Sequence, residues 1–408
     1  MSKWEMARLS DVIDEAITGE WGTECINGEV GTKVLRTTNF TNLGVVHYDN
    51  VVVRNIPANK IEKKKLLRYD IILEKSGGSD NQPVGRVVFF TNNTDEVYLC
   101  NNFTQVLRIN QNIAFPKYVF IYLFYLHQNG TTELLQNKTT GIRNLQVKRY
   151  MALQIPLPPL PVQQQIADVL DRASALIEKR KAQIDKLDLL MKSQFTEMFG
   201  NLGNNPMNWK QIRLIDTCAS PDDIKCGPFG TQLSKDEYQN YGVALWGIPQ
   251  INSAFQLGPT DFLTEEKAAK LEAYSLRPGD IAMSRKGNVG MCALFPEHFP
   301  IGIIHSDVLR IRPNTKAVNP MFLMSQLHYS PIVETQIRMV SNGAIMAGIN
   351  VTKLKNIAVH LPPLTLQDEF AAFVEQVELQ KELLQQSRAK LELNYKSLMQ
   401  KCFRGEIF

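Results

Sequence analysis

The 408-residue sequence has few features of membrane, secreted or metal-binding proteins. Its longest apolar runs, such as residues 118–126, fall far short of the roughly 20 residues that span a membrane, and the first residues lack a signal-peptide core. Six scattered cysteines form no C-x-x-C pair and have no histidine at metal-ligand spacing. We therefore expect reduced and mostly buried thiols, no metal site and a cytoplasmic location.

The sequence also lacks the residue patterns that catalysis usually requires. It contains no G-x-x-x-x-G-K-[ST] phosphate loop, no G-x-G-x-x-G dinucleotide motif, no H-E-x-x-H metal motif and no G-x-S-x-G nucleophile motif. The six histidines are isolated from one another along the chain. We therefore predict no catalytic residue in this protein.

Neither charge sign dominates, since 45 Lys+Arg face 41 Asp+Glu for a net charge of +4. This balance is compatible with a polyanionic partner but does not require one. Hydrophobic residues make up 44% of the sequence, which excludes wholesale disorder. At roughly 100–200 residues per domain, the length predicts two or three domains.

An internal repeat organises the chain. The segment Ile155–Leu160 recurs 204 residues later as Val359–Leu364, and in both copies the sequence L-P-P-L is followed by a glutamine. Further matches in the same order pair Tyr69–Ile72 with Gly279–Ala282, Val106–Ile109 with Val308–Ile311, and Gly141–Arg143 with Gly348–Asn350. Matches in a constant order indicate a tandem duplication of a globular part followed by a helix.

Each copy ends in a predicted long helix. Apolar residues alternate every three or four positions from Val162 to Phe199, and every seven from Phe370 to Leu398. Such a helix, roughly 55 Å long, is too one-faced to stand alone. We expect the two helices to pair with each other in an antiparallel coiled coil; the alternative is that each helix folds back on its own domain.

The globular parts have the mixed patterns of an α+β fold. Predicted strands cover Asp49–Arg54, Asp70–Leu73, Gly85–Phe90 and Val97–Ile109, and predicted helices cover Lys117–His127 and Pro320–His328. Asp70 and Asp280 occupy matching places before a strand, where a carboxylate that caps a turn is expected. Two similar globular units on a rigid spacer suit a target with two half-sites, such as DNA, whose successive turns are about 34 Å apart.

Several motifs of the sequence resemble those of a known protein family. The L-P-P-L-x-x-Q motif that opens each helix, the block Gly227–Leu233 and the ending Lys401–Ile407 resemble the specificity subunit of type I restriction-modification systems. This resemblance divides the chain into target recognition domain 1 (1–156), a Pro-rich start and spacer helix (157–200), a linker with target recognition domain 2 (201–360), and a second Pro-rich start and helix (361–408).

The resemblance implies a non-catalytic subunit that reads an asymmetric bipartite double-stranded DNA target. The helices would set the unspecified spacer, and two methyltransferase (modification) subunits would dock and methylate adenine N6 with S-adenosylmethionine. Restriction subunits would add translocation and cleavage that require ATP and Mg. The chain itself would hold no cofactor and contact no membrane.

Residues that suit DNA binding are cations for phosphates and Arg, Asn, Gln, Ser or Thr for base edges, preferably on turns. Three clusters of these types occur in each copy. In the first copy the candidates are Lys33, Arg36, Thr38 and Asn39, then Lys75, Ser76 and Arg86, then Arg143 and Asn144. In the second copy they are Lys225, Thr231 and Gln232, then Arg285, Lys286 and Asn288, then Asn342 and Asn350.

Two other classes of function remain open from the residues alone. One is a coiled-coil scaffold that binds only proteins, and the other is a stand-alone DNA-modifying enzyme with an unfamiliar motif. The candidate loops could also be ordinary solvated turns. Salt-sensitive DNA affinity would distinguish the leading prediction from the scaffold, and methyl transfer by the isolated chain would indicate the enzyme.

Overall fold

The computed structural model describes residues 3–26, 30–92, 94–139, 142–341 and 348–408. The chain forms two compact units, of which the first combines residues 1–180 with 387–408 and the second contains residues 181–386. Both units contain helices and sheets, as the predicted α+β class requires.

Within the described ranges, the first unit contains short strands, short helices and parts of the two long helices. Its strands are β1 (Met6–Arg8), β2 (Ile13–Thr18), β3 (Thr23–Glu24), β4 (Thr32–Leu35), β5 (Val52–Asn55), β6 (Ile71–Glu74), β7 (Ser76–Gly78), β8 (Val87–Phe89), β9 (Tyr98–Cys100), β10 (Thr104–Ile109), β11 (Gln136–Thr139), β12 (Ile142–Leu145) and β13 (Gln154–Pro156). Its short helices are α1 (Ala58–Lys64), α2 (Pro116–Gln128) and α3 (Val147–Met151), and the long helix α4 (Leu160–Phe199) begins here.

The second unit repeats this composition. Its strands are β14 (Lys210–Arg213), β15 (Ile224–Cys226), β16 (Val243–Trp246), β17 (Asp261–Leu263), β18 (Ser275–Leu276), β19 (Ile281–Ser284), β20 (Cys292–Leu294), β21 (Gly302–Ile304), β22 (Val308–Ile311) and β23 (Ala358–Leu361). Its helices are α5 (Ile248–Asn252), α6 (Glu265–Lys270), α7 (Pro320–Tyr329), α8 (Pro331–Met339) and α9 (Val351–Lys355), and the long helix α10 (Leu364–Arg404) begins here.

The sheets confirm the duplication. In the first unit one four-stranded antiparallel sheet has the order β2-β10-β6-β8, and in the second the order β15-β22-β19-β20 matches it strand for strand. A two-stranded sheet joins the start of each globular part to its end, as β1-β13 and as β14-β23. In the second sheet of each unit, β4 and β16 both lie between an antiparallel and a parallel neighbour.

The structure corrects the sequence alignment of one repeated block. The match between Val106–Ile109 and Val308–Ile311 pairs Arg108 with Arg310. In the structure, Arg108 forms an ion pair with Asp70 at 3.0 Å, whereas the ion pair to Asp280 at 2.6 Å comes from Arg312. A shift of two residues keeps every side chain on the same face of a strand, so the sequence pattern cannot distinguish the two registers.

The predicted turn caps are confirmed at both aspartates. The Asp70 carboxylate accepts a hydrogen bond from the backbone N–H of Leu67 at 2.7 Å, and Asp280 accepts one from Arg277 at 2.8 Å. Both aspartates are buried. Each therefore closes the turn before its strand and neutralises an arginine at the same time.

The predicted helical segments 117–127 and 320–328 are confirmed as α2 and α7. The predicted strand Val97–Ile109 is instead two strands, β9 and β10, which belong to different sheets. A turn separates them, in which the Thr104 hydroxyl donates to the carbonyl oxygen of Asn101 at 2.7 Å. The alternation of apolar residues does not report such a change of sheet.

In each unit, the start of one long helix packs against the end of the other. In the first unit, Ile166 near the start of α4 shares a core with Phe403 at the end of α10. In the second unit, Phe195 near the end of α4 lies 5.4 Å in ring-centroid distance from Phe370 near the start of α10. The start of each helix thus meets the end of the other, which is the antiparallel arrangement that the sequence predicted.

The motif glutamine fastens each long helix to its globular part. Gln163 is fully buried; its Oε1 accepts from the backbone N–H of Phe115 at 2.8 Å, and its Nε2 donates to the carbonyl oxygen of Pro158 at 2.8 Å. Gln367 makes the same pair of bonds to Asn319 at 2.9 Å and Pro362 at 2.7 Å. The glutamine of the L-P-P-L-x-x-Q motif is therefore a structural joint, meaning that its hydrogen bonds hold the start of each long helix to the preceding globular part.

Candidate nucleic-acid interface

In the first unit, the second and third predicted clusters lie on neighbouring strands. Strand β7 pairs with β12, so that Ser76 lies opposite Asn144 and Gly78 opposite Arg143. The side chains of Ser76 and Asn144 are hydrogen-bonded to each other. Arg143 forms an ion pair at 2.7 Å with Asp80, whose side chain is mostly exposed. The structure therefore joins two clusters that are more than 60 residues apart in sequence.

A polar cleft of about 470 Å³ joins the first cluster to the second. Thr38, on a short 3-10 helix that follows β4, and Ser79 both line this cleft. The other lining residues are Thr37, Phe40, Asn42, Glu74, Gly77, Gly78, Gln82 and Arg86. Segments of the first two predicted clusters thus meet at this cleft, and the pairing of β7 with β12 places the third cluster beside the second.

Two predicted contacts of the first unit have structural roles instead. Arg86 is 5% exposed and forms a buried ion pair with Glu74 at 3.1 Å. Asn39 is 3% exposed; its Oδ1 accepts from the backbone N–H of Arg36 at 2.9 Å, and its Nδ2 donates to two backbone carbonyls at 3.1 Å. Because their hydrogen-bonding groups are engaged inside the protein, both residues are removed from the set of direct contacts.

Three predicted cations of the first unit, Lys33, Arg36 and Lys75, are partly exposed. The hydrogen bond to Glu96 raises the pKa of Lys33, and its ammonium lies 5.5 Å from the Tyr98 ring centroid. Arg36 donates from Nη2 to a backbone carbonyl at 3.0 Å. Burial lowers the pKa of Lys75, whose Nζ lies 3.5 Å from the Thr18 hydroxyl. None of these contacts is a buried ion pair, so a phosphate can compete for the cations.

In the second unit, the three predicted clusters converge on Arg285. Its guanidinium lies 5.7 Å from the ring centroid of Phe229, beside the first cluster, and its Nε donates to the carbonyl oxygen of Ile349 at 3.4 Å. The backbone N–H of Ile349 donates in turn to the carbonyl oxygen of Arg285 at 3.1 Å. Residue 285 therefore connects segments near 229 and 349.

The other candidates of the second unit are partly or fully exposed. Lys286 is half-exposed and pairs with Asp307 at 2.9 Å, and Asn288 is exposed on a turn whose Gly287 has a φ of +69°. Lys225 lies 3.7 Å from the Asp222 carboxylate and 5.5 Å from the Tyr274 ring. Two exposed residues, Thr231 and Gln232, follow the G-P-F-G block, and Gln232 accepts from the Tyr274 hydroxyl at 3.0 Å.

The third cluster of the second unit yields one correction. The Asn350 side chain caps α9, since its Oδ1 accepts from the backbone N–H of Lys353 at 3.0 Å. Asn350 follows Ile349, whose carbonyl oxygen contacts Arg285, but the side-chain oxygen of Asn350 already accepts the hydrogen bond that caps α9. Asn342 lies outside the described residues.

The comparisons with known proteins bear on what these two faces do. The family model of the type I restriction modification DNA specificity domain matches residues 1–187 and 206–393. The chain belongs to this family. The type I restriction enzyme MjaX specificity subunit of Methanocaldococcus jannaschii is 22% identical, with 99% of this chain and 93% of that protein covered. The EcoKI specificity subunit of Escherichia coli K12 is 22% identical over 92% of this chain and 82% of its own length.

Solved structures show the same fold. A chain of a type I R-M system, solved in work on complex assembly and conformational transition, has a TM-score of 0.59 and 18% identity, with 99% of this chain and 98% of that chain covered. The S subunit from M. genitalium has a TM-score of 0.55 and 16% identity, with 98% and 96% covered. The predicted fold, with duplicated domains and long helices, is therefore confirmed.

As a type I specificity subunit, the protein belongs to a class that recognises DNA sequence, acts with other subunits and has no catalysis or cofactor of its own. No group of three or more potential metal ligands occurs within the described ranges. No helix in the part of the chain that the structure describes is long and apolar enough to cross a membrane. The cysteines are free thiols, of which Cys100, Cys292 and Cys402 are buried.

Sequence reasoning missed several residues of these faces. Asn42 and Gln82 are exposed at the cleft of the first unit, and Phe229 is a 55% exposed aromatic beside Arg285. Isolated loop residues such as Asn42 and Gln82 form no recognisable sequence pattern, because only folding brings them to one cleft. Phe229 lies within the G-P-F-G block that carried the resemblance, so its apolar side chain could have been flagged from the sequence.

Proposed function

We propose that each unit reads one half of an asymmetric, bipartite double-stranded DNA target through the face on which its three clusters meet. The observation that carries this proposal is that segments far apart in sequence come together in each unit. Strand pairing and a shared cleft link the clusters of the first unit, and the contacts of Arg285 link segments of the second. The two faces differ: the first has an amide-lined cleft, and the second has Arg285 over Phe229. Different side chains read different bases, so the two half-sites differ in sequence.

The site residues of this proposal are those that remain accessible. In the first unit they are Lys33, Arg36, Thr38, Lys75, Ser76, Arg143 and Asn144. In the second unit they are Lys225, Thr231, Gln232, Arg285, Lys286 and Asn288. The target recognition domains would correspond to residues 1–156 and 201–360.

We also propose that two methyltransferase subunits dock on the long helices. They would supply S-adenosylmethionine and the adenine-N6 chemistry, and restriction subunits would bring ATP and Mg; a cytoplasmic location would give access to chromosomal DNA. Leucines exposed on the helices support docking. On α10, Leu379 and Leu383 are 56% and 66% exposed and lie one helical turn apart.

A pair of substitutions tests this docking. Leu379→Glu and Leu383→Glu should abolish co-purification with the modification subunits without lowering the unfolding temperature, because both side chains already face solvent. Lys390→Glu, at another exposed position of α10, is the matched control. Undiminished co-purification of the double variant would contradict docking at this part of α10.

The test of the DNA-reading proposal is modified-base sequencing of the genome with and without the gene. Deletion should remove N6-methyladenine from one split motif. If methylation is unchanged while the modification subunits are expressed and bind the chain, the protein is a scaffold without DNA specificity. Methyl transfer by the chain alone would instead identify an enzyme.

Salt dependence tests the second face. Replacing both Arg285 and Lys286 by Ala should reduce the slope of log binding constant against log salt by about one unit for each lost phosphate contact. The control is Lys270→Ala, because Lys270 on α6 is exposed and lies outside the three clusters. An unchanged slope in the double variant would exclude these two residues.

The helices would set the spacer between the half-sites. Helix α4 has 40 residues and α10 has 41, so each is about 60 Å long. Insertion of one heptad into α4 should change the spacer or abolish binding while each globular part still folds. Retention of the original spacer would refute this role.

A further inference from the structure

Arg86 is buried, lines the cleft of the first unit, and donates hydrogen bonds to several surrounding residues. Besides its ion pair with Glu74, Arg86 donates from Nη2 to the carbonyl oxygen of Thr37 at 2.9 Å and from Nη1 to that of Phe40 at 3.0 Å. Nη1 also donates to Oδ1 of Asn42 at 3.2 Å. With the Gln82 amide oriented so that its oxygen faces the guanidinium, Oε1 accepts from Nη1 at 2.8 Å and from Nη2 at 3.0 Å.

The chemistry of arginine fixes the direction of both amides. A guanidinium has five N–H donors and no acceptor, so each partner must turn an oxygen towards it. The Asn42 and Gln82 side chains therefore direct their NH2 groups away from Arg86. Both residues are exposed, and the Asn42 amide nitrogen donates to no acceptor within the described ranges.

This fixed orientation changes what the two residues can recognise. A freely rotating Asn or Gln amide offers one donor and one acceptor, which suits the N6 and N7 atoms of adenine. An amide whose oxygen is turned towards Arg86 presents its NH2 donors on the opposite side. In the major groove, guanine is the base that presents two adjacent acceptors, N7 and O6.

We propose that Asn42 and Gln82 are specificity-determining residues that read a guanine in the half-site of the first unit, and that Arg86 is the positioning residue that makes them donors. This inference rests on the proposed function, since it assumes that the face with the cleft binds DNA. It adds the identity of two reading residues and of the base that they select.

The decisive variants are the isosteric changes Gln82→Glu and Asn42→Asp. Each keeps an oxygen towards Arg86 and replaces the outward NH2 donor by a second oxygen. The matched control is Asn81→Asp, because Asn81 is exposed next to Gln82, lines a pocket that Asn42 and Gln82 also line, and makes no hydrogen bond to Arg86 within the described residues. It adds the same charge without altering an amide that Arg86 orients.

Each chain would be co-expressed with the modification subunits in a host without other adenine methylation, and methylated motifs would be read by modified-base sequencing. We expect one guanine position in one half-site to lose its preference about 5-fold or more in the acid variants, with a shift towards cytosine, whose N4 is a donor. The other half-site and the Asn81→Asp motif should remain as in the wild type.

Three results would overturn the inference: wild-type preferences at every position in both acid variants, the same shift in Asn81→Asp, or a shift confined to an A·T pair. A wild-type chain that directs no split motif would instead refute the proposed function, so the two failures are distinguishable. Arg86→Lys keeps the charge but loses the fork, and it should relax the same guanine position while the other half-site stays selective. If this buried substitution prevents folding, the acid variants still decide.

Discussion

The motif glutamine offers the most direct test of how each long helix is held. Replacing Gln163 by Leu keeps the approximate size of the side chain but removes both of its hydrogen-bonding groups. The backbone N–H of Phe115 and the carbonyl oxygen of Pro158 would then lose their partners, which lie 2.8 Å away in each case. The Gln163 side chain is fully buried, so water has little access to the two groups that it would leave without a partner.

The magnitude follows from the two orphaned groups. A buried backbone group without a partner costs about 1–3 kcal/mol, and the leucine recovers part of this through apolar burial. We expect a loss of about 2–4 kcal/mol in the free energy of unfolding of the first unit. For a unit of this size, the unfolding temperature should fall by roughly 4–16 °C.

The assay is thermal unfolding of the full chain by calorimetry and circular dichroism. Gln164→Leu is the matched control, because Gln164 is the next residue on the same helix and is exposed. Its effect should stay within about 0.5 kcal/mol. Gln367→Leu should destabilise the second unit in the same way. If Gln163→Leu melts at the same temperature as Gln164→Leu, the glutamine is not a structural joint.

Three further predictions concern the second unit and are checked by urea or thermal unfolding. Trp209→Phe should cost about 1 kcal/mol, since Nε1 of Trp209 donates to the last carbonyl of α4, that of Phe199, at 3.0 Å; an unchanged midpoint would contradict this cap. Asp280→Ala should cost about 3–5 kcal/mol because it leaves Arg312 without its buried partner, and a loss below about 1 kcal/mol would refute the pairing. Burial lowers the pKa of His360, which is 5% exposed, so the unfolded chain binds its proton first as the pH falls, and stability should decrease below about pH 6.5. His360→Gln should flatten that slope, and an equal slope in both proteins would exclude this residue.

The long helices were predictable because their signal is local and repeated. Apolar spacing marked both helices, and proline marked their beginnings. The helices end at Phe199 and Arg404, immediately before Gly200 and Gly405, whose positive φ favours glycine. The predicted start at residue 162 lies within one turn of the observed start at Leu160. Patterns that depend on the chain near a residue can be read without knowing the fold.

The candidate faces were only partly predictable. The loops that contribute to them were identified by residue type, but Arg86 and Asn39 have the same types as surface DNA contacts and are buried. Burial depends on distant segments, since Arg86 is covered by residues of the loop that follows β4. Residue type alone therefore cannot distinguish a residue that contacts DNA from a buried residue with a structural role.

The register of the repeat shows the same limit. Strand periodicity is two, so aligning Arg108 with Arg310 or with Arg312 satisfies the pattern equally well. Only the pairing of β22 with β19, in which Ile311 lies opposite Ile281, places Arg312 next to Asp280. A choice between equivalent registers is made by partners that are distant in the chain.

The sequence by itself determined the duplication, the two long helices and the family, because repeats and helical periodicity are properties of neighbouring residues. The tertiary structure alone decided which segments of the clusters come together in each unit and that Arg86 is buried at the cleft of the first unit. It also decided which way the Asn42 and Gln82 amides point, since their oxygens follow the guanidinium. The physical reason is that hydrogen-bond direction and burial are set by contacts across the fold, which no local pattern encodes.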